Sequence, residues 1–306
     1  MTAPTFINYE QGEAALNWLH LSDAIAAGHA LPKAQIEDGL LYRGDDTLLS
    51  RAAWITGLGA LAKTATVFPG NGARDLPAVN GAVTLFSDET GQAEAFLDFH
   101  LVTKWKTAGD SLLAARRLAR PESRNILILG SGAVGASLIE AYGTAFPGAR
   151  FTLWNRTAGR AAHLAEQTGA SVAASLEAAV READIIATAT MTTEPILKGE
   201  WLQPGQHVDL IGAYRPDMRE ADDVALQRAR VFVDSRDTTV EHIGEIKDPL
   251  ARGVIAASDI VADFYELEAF IRRSDEEITI CKNGGGAHLD LMVARHILEQ
   301  VKGAAS

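Results

Sequence analysis

The sequence predicts an α/β fold, a doubly wound parallel sheet together with a second α+β domain, and three observations point to it. From residue 124 onward short apolar runs alternate with Ala-rich helical stretches. A glycine motif, G-S-G-A-V-G over Gly130–Gly135, falls directly after the first of these runs and directly before an amphipathic stretch. Ahead of residue 121 the pattern is different, with β-like runs separated by glycine and acidic turns. A chain of 306 residues has room for both domains.

In chain order, Trp54–Val67, Gly81–Phe86 and Ala93–Leu97 read as strands, parted by turns such as S-D-E-T-G-Q. Val102–Leu118 has helical period and ends before Pro121, which marks the boundary between a first domain, residues 1–121, and a second, residues 122–286. Six strands follow in the second domain: Asn125–Leu129, Phe151–Trp154, Ser171–Ala173, Ile185–Thr188, His207–Ile211 and Val231–Asp234. After Asp259 a helical run extends to Ile271, then come the strand-like Glu277–Cys281, the glycines Gly284–Gly286 and a last helix from about Leu289. That helix, about residues 287–306, is assigned to the first domain.

Composition excludes several function classes. A formal charge of −12 argues against broad contact with nucleic acid, whose phosphates call for a basic surface. The lone cysteine, Cys281, allows no intrachain disulfide and no thiolate metal cluster, and the eight histidines, His100 and His163 among them, lack metal-ligand spacing. No metal is expected. The N-terminus has neither the basic region nor the apolar core of a secretory signal, and no run reaches the length of a membrane span, so the expected location is cytoplasmic.

The glycine motif carries a specific chemistry because of its context. Gly130 permits the tight turn, Gly132 lets the backbone approach a pyrophosphate, and Gly135 allows close helix–strand packing, while Ser131, Ala133 and Val134 complete the turn into the helix N-terminus. This is the fingerprint of a Rossmann domain that binds a nicotinamide dinucleotide. About 20 residues on, where an acid would grip the ribose of NAD, stand Asn155, Arg156 and Thr157. A guanidinium beside an amide and a hydroxyl suits a 2′-phosphate, so NADP(H) is preferred, with NAD(H) as the alternative. Thr188, Ala189 and Thr190 close the fourth strand at the carboxyl edge of the sheet, their hydroxyls placed to line the nicotinamide side, and Gly212 follows the fifth strand at the same edge. In the first domain Lys63 sits in an otherwise apolar strand, where an ammonium needs an anionic ligand or neighbour.

The order of these motifs resembles the ornithine cyclodeaminase/mu-crystallin family. The likeness rests on Ala62–Asn71 (A-K-T-A-T-V-F-P-G-N), Leu76–Gly81 (L-P-A-V-N-G), Thr103–Ala108 (T-K-W-K-T-A), G-S-G-A-V-G, W-N-R-T, Ile211–Glu220 (I-G-A-Y-R-P-D-M-R-E) and Phe232–Arg236 (F-V-D-S-R), and covers nearly the whole chain. It implies a homodimer whose substrate and dimerisation domain is built from both chain ends, and NAD(P) chemistry on cyclic imino acids or amino acids. It also implies that Lys63 holds a substrate carboxylate, that Lys106 does so where an arginine is usual, and that Arg43 is an additional contact; Ala78 replaces the usual threonine. Tyr214 stands where cyclodeaminases carry an aspartate, which turns the expectation toward the reductase and mu-crystallin branch. Hence Lys63, Lys106 and Tyr214 are the candidate catalytic residues of an NADPH-dependent reductase that passes hydride to C2 of a 1-pyrroline-2-carboxylate type ketimine. The alternatives are an ornithine cyclodeaminase, an amino-acid or opine-type dehydrogenase, and a non-catalytic NADPH-dependent binder. Asp290 is read as the N-cap of the last helix, and His288 is assigned no role.

Overall fold

A computed structural model describes residues 3–74 and 76–304. The chain forms two compact units, Met1–Lys106 with Gly286–Ser306, and Thr107–Gly285.

The first unit opens with β1 (Thr5–Ile7), α1 (Tyr9–Ala15) and α2 (Trp18–His29). Asn8 and Asn17 cap the two helices, their side-chain oxygens accepting first-turn N–H groups. The strands β2 (Gln35–Arg43), β3 (Asp46–Ile55), β4 (Gly59–Val67), β5 (Val79–Phe86) and β6 (Ala93–Asp98) follow, then α3 (Phe99–Leu118). They build a six-stranded sheet in the order β1-β6-β5-β4-β3-β2, antiparallel except for β1 beside β6. Along β4 the side chains alternate: Leu61, Lys63 and Ala65 are buried, while Ala62 is exposed. The buried face lies under α10 (Ala287–Ala304), which packs on β2 through β5 and on α1 and α2. Leu289, Leu291, Val293, Ile297 and Leu298 of that helix are buried.

Two expectations for this unit change. Trp54–Val67 is not one strand: residues 56–58 turn the chain from β3 into β4, with Gly57 at φ 87° and its N–H bonded to Asp88. The apolar pattern runs through a turn too short to interrupt it. The strand β2 and β3 up to Ala53 are not expected from sequence; β2 is exposed on both faces and carries no alternation. The division between units falls inside α3 rather than at Pro121, since the helical period runs unbroken across Lys106 and Thr107.

In the second unit β7 (Asn125–Leu129), α4 (Ala133–Ala145), β8 (Arg150–Trp154), α5 (Ala158–Thr168), β9 (Ser171–Val172), α6 (Leu176–Glu182), β10 (Ile185–Thr188) and β11 (His207–Leu210) alternate as expected. After them come α7 (Asp223–Arg228), β12 (Arg230–Val233), α8 (Arg236–Thr239), α9 (Gly244–Ala251) and β13 (Thr279–Lys282). The sheet is parallel throughout, in the order β12-β13-β11-β10-β7-β8-β9. Strand order reverses between β7 and β10, the switch point at which such sheets bind ligands. Seven strands, not six, make the sheet, because β13 enters between β11 and β12. A fully buried four-residue run reveals its strand character in sequence but not its neighbours. The expected helix from Asp259 to Ile271 is instead a pair of short 3-10 turns, Ala257–Asp259 and Phe264–Ala269, joined by a bridge from Ile260 to Val231. Ile260, Phe264 and Phe270 are buried at spacings that imitate a helix.

Position in the sheet sets the cost of truncation. Ile280 lies in β13 between two strands and is 0% exposed, whereas Val172 lies on the edge strand β9 and is 43% exposed. Ile280→Ala is expected to lower unfolding stability in urea by about 2–5 kcal/mol, and Val172→Ala by less than about 0.5 kcal/mol. Equal losses at the two sites would show that β13 does not occupy the interior of the sheet.

Candidate functional site

The first unit gathers charge on the covered face of its sheet. Lys63 on β4 and Arg51 on β3 are cross-strand partners, so two cations face each other directly. Asp290, in the first turn of α10, answers both. Its Oδ1 accepts a hydrogen bond from Lys63 Nζ at 2.7 Å, and its Oδ2 lies 3.8 Å from an Arg51 nitrogen. Arg51 also donates to Asp38 of β2 at 2.7 Å. A second bond from Lys63 goes to the Thr103 hydroxyl at 2.9 Å, whose own proton goes to the Phe99 carbonyl, and the Phe99 ring lies 4.7 Å from the ammonium.

Lys63 is 5% exposed, and burial pulls its pKa below the usual lysine range while Asp290 pushes it back up. Burial acts on Asp290 in the opposite sense, but the surrounding cations Lys63, Lys106 and Arg51 hold its carboxyl below the usual range. Asp290 is therefore an ion-pair partner and not the N-cap expected from sequence; its own N–H already bonds the Gly286 carbonyl. Lys106, half-buried on α3, stands close enough to perturb both Lys63 and Asp290, and makes no ion pair or side-chain hydrogen bond among the described residues.

Arg43 is not brought to this cluster. It ends β2 at the hairpin, 79% exposed, paired with Asp46 at 2.9 Å and lying over the Phe68 ring. Arg43 is five positions beyond Asp38 on the same strand, about 16 Å at the usual rise. Arg51 is the arginine that the fold supplies there. A lysine opposite an arginine in adjacent strands was the signal available in sequence, but it needs the β3–β4 register to be read.

In the second unit the glycine motif turns from β7 into α4. Gly130 has φ 112°, and a Cβ there would stand 2.4 Å from the Ala189 carbonyl oxygen. Gly135 packs against Gly130 itself, with 2.3 Å from an added Cβ to its carbonyl oxygen. At Gly132, by contrast, a Cβ would meet nothing within 4 Å, and no side chain caps the first turn of α4, which begins at Ala133 and Val134. Ser131 Oγ is buried without a hydrogen-bond partner. Open space, uncapped amides and an orphaned hydroxyl together fit a phosphate group. At the end of β8, Asn155 donates to the Thr157 carbonyl at 3.0 Å, while Arg156 and Thr157 are exposed and the Arg156 guanidinium has no ion pair among the described residues.

The strand ends are held from below by buried carboxylates. Glu220 is fully buried and accepts from Thr190 N–H at 2.8 Å, Thr190 hydroxyl at 2.7 Å, Gly212 N–H at 2.6 Å and Ala213 N–H at 3.2 Å. Glu245, equally buried, accepts the N–H groups of Glu220 and Ala221 at 2.6 and 3.0 Å. Lys282 Nζ, buried beneath β11, donates to the Leu210 carbonyl at 2.8 Å and faces both carboxylates. Gly212 is obligatory there: a Cβ would stand 1.9 Å from the Thr190 carbonyl oxygen. The hydroxyls expected to line a ligand are thus turned inward, Thr190 to Glu220 and Thr188, fully buried, to the Asp209 carbonyl at 3.4 Å. Tyr214 is strongly exposed, at 57%, with Arg215 5.7 Å over its ring. Sequence reading missed Glu220, Glu245 and Lys282, because nothing in a charged residue's neighbours announces its burial. Among the described residues no group of His, Cys, Asp and Glu could hold a metal ion.

Comparison with known proteins adds four likenesses. The family model described as the ornithine cyclodeaminase/mu-crystallin family matches residues 55–305. A Delta(1)-pyrroline-2-carboxylate reductase of Paracoccus denitrificans is 48% identical over 99% of this chain and 98% of its own. The ketimine reductase mu-crystallin of Mus musculus is 33% identical over 78% of this chain and 74% of its own. Among solved structures an archaeal alanine dehydrogenase dimer with bound NAD superposes with a TM-score of 0.88 at 29% identity, covering 99% of this chain and 97% of that one.

The buried carboxylates make stability depend on pH. Burial, aided by Glu220, pushes the Glu245 carboxyl from 4.5 up to about 7 despite Lys282. The folded chain therefore holds this proton more tightly than the unfolded chain, and the stabilisation is complete at low pH and lost as pH rises through about 7. Relative to Glu245→Gln, the natural chain is expected to lose on the order of 2–3 kcal/mol of urea stability between about pH 5 and about pH 8. A constant difference across that range would refute the assignment.

Proposed function

The chain belongs to the ornithine cyclodeaminase/mu-crystallin family, and from that premise we propose that it is an NAD(P)H-dependent imino acid reductase acting on a small cyclic ketimine carboxylate of the 1-pyrroline-2-carboxylate type. The observation that carries the reading is the buried, oriented ammonium of Lys63 in a chain 48% identical, end to end, to a reductase of that substrate.

A cyclic ketimine carboxylate offers one anion and one electrophilic carbon. Lys63, fixed on Asp290 and Thr103, pairs with the carboxylate, and the unpartnered Lys106 supplies a second positive charge. Both are point charges rather than planar forks, so they locate a carboxylate without dictating its plane. The nicotinamide supplies a hydride to C2 when bound. Gly130 to Gly135, with Ser131 Oγ and the α4 amides, hold its pyrophosphate, and Asn155, Arg156 and Thr157 take a 2′-phosphate, which makes NADPH the preferred donor and NADH the lesser one. Backbone around Ala189, Thr190 and Gly212, held by Glu220, would flank the ring when it is bound. Tyr214 offers a phenol as hydrogen-bond donor. It offers no carboxylate to hold the side-chain ammonium of ornithine, so the cyclodeaminase reading is disfavoured. Much of the catalysis in such a site is positioning.

The finer calls on assembly and location belong to the same proposal. One face of the six-stranded sheet, with Trp54, Phe96, Phe6, Leu48 and Ala62, is exposed and carries little charge, which supports a homodimer formed through it. No helix among the described residues is long and apolar enough to cross a membrane, and Cys281 is buried and unbridged, in keeping with a reducing, cytoplasmic setting.

Purified protein given 1-pyrroline-2-carboxylate or 1-piperideine-2-carboxylate is expected to oxidise NADPH faster than NADH, followed by loss of reduced-nicotinamide absorbance. Lys63→Ala should raise KM for the imino acid by roughly tenfold to a hundredfold with the dinucleotide Kd unchanged. No net oxidation with either imine, or ammonia release from ornithine with no net cofactor change, would overturn the reading. Separately, Arg156→Ala should raise KM for NADPH by about tenfold or more and leave NADH nearly unaffected. An equal effect on both cofactors would assign Arg156 to something other than a 2′-phosphate.

A further inference from the structure

An ammonium has three N–H donors. In Lys63 one goes to Asp290 and one to Thr103, and among the described residues no protein acceptor takes the third. Two fixed bonds define the direction of the remaining one, so Lys63 presents a single aimed donor rather than a freely rotating charge. Asp290 is well suited to fix it: the residue sits on α10, is 0% exposed, and leaves Oδ2 with no hydrogen bond and Arg51 3.8 Å away. A side chain bonded through one oxygen to a lysine 227 positions earlier, and otherwise unsatisfied, is not explained by local helix capping. Burying a carboxylate is costly unless it is paired, and here the pairing serves one ammonium.

We propose that Asp290 is the positioning residue of the carboxylate-binding lysine: it orients Lys63 Nζ so that its third N–H meets the substrate carboxylate, and it keeps that nitrogen charged. The proposal rests on the imino acid reductase reading for the identity of the ligand, but not for the geometry. The charged and titratable groups facing the pair are Arg51 from β3, with Asp38 behind it on β2, and Lys106 from α3; His288 on α10 lies near Lys106, Arg51 and Lys33 and faces His29 of α2. Every one of these except Asp38 is cationic or neutral, so removal of the Asp290 charge leaves nothing nearby to hold the Lys63 proton.

The test uses the full chain with NADP+ bound and pyrrole-2-carboxylate, a planar and unreactive carboxylate, as the probe. Its Kd is read by calorimetry across neutral to alkaline pH, with imine reduction measured in parallel. For Asp290→Asn, binding of the probe should weaken by roughly tenfold to a hundredfold. The alkaline limb of binding should move to lower pH, because an unaided buried lysine loses its proton sooner. The dinucleotide Kd should stay as in the natural chain. Thr103→Val, which removes the other acceptor but no charge, should weaken the probe without moving the limb, and it carries the test should Asp290→Asn fail to fold. An Asp290→Asn protein with unchanged probe affinity and an unmoved limb, or a Thr103→Val protein that binds as well as the natural chain, overturns the proposal. A natural chain that binds the probe but reduces no imine overturns the reductase reading and leaves the role of Asp290 standing.

Discussion

Two like charges placed opposite each other on neighbouring strands set the terms for the first unit. Lys63 and Arg51 are in direct register across β3 and β4, and such a pair is repulsive unless a counter-ion comes between. No residue of the sheet supplies one to Lys63. Asp290 does, from a helix that follows the whole second unit, 227 residues on. That requirement ties the C-terminal helix to the N-terminal sheet more specifically than apolar burial, since Leu289, Leu291 or Ile297 would tolerate a slide along the sheet and a 2.7 Å ion pair does not. The cost is desolvation of both partners. The Lys63 ammonium is thereby fixed through two hydrogen bonds, one to Asp290 and one to Thr103.

The second unit solves a different problem, namely how to hold several loops still at the open edge of a parallel sheet. Loop backbone there has no ladder to join, and each N–H needs an acceptor. Glu220 provides it for Thr190, Gly212 and Ala213, and Glu245 provides it for Glu220 and Ala221. Glu245 thus holds the backbone of Glu220, and both carboxyl groups face Lys282, so buried polar groups tie down the edge. Gly212 follows from this arrangement, because the backbone drawn toward Glu220 comes too close to Thr190 for any side chain.

How much was legible in the sequence follows from the range of the interactions involved. The strands β7, β8, β10 and β11 and the glycine turn were legible because each is a local pattern: an apolar run, a turn that only glycine makes, a helix start. Lys63 was legible as an oddity, a charge in an apolar strand. Its partner was not, because the local use of an aspartate at the front of a helix is as a cap. The resemblance points to Arg43, and only the register of the β2–β3–β4 meander reveals that the arginine beside Lys63 is Arg51 and that Arg43 lies at the hairpin tip. The place of β13 and the inward turn of the Thr188 and Thr190 hydroxyls are likewise decided by long-range pairing, with strand β11 and with Glu220.

The charges around Lys63 also limit what kind of anion completes the site. Lys63 is answered by Asp290 and Arg51 by Asp38, which leaves Lys106 as the cation of the group without an ion pair among the described residues. One spare positive charge and one aimed N–H donor match a single carboxylate. A dicarboxylate would bring a second negative charge with no partner into a chain whose formal charge is already −12. The ammonium of Lys106 acts in the same direction, because it lacks the fork with which a guanidinium grips a flat carboxylate from two sides. Under the proposed reading, a small monoanionic ring matches the charge of this cluster, and the ring itself sets the carboxylate plane that Lys106 does not fix.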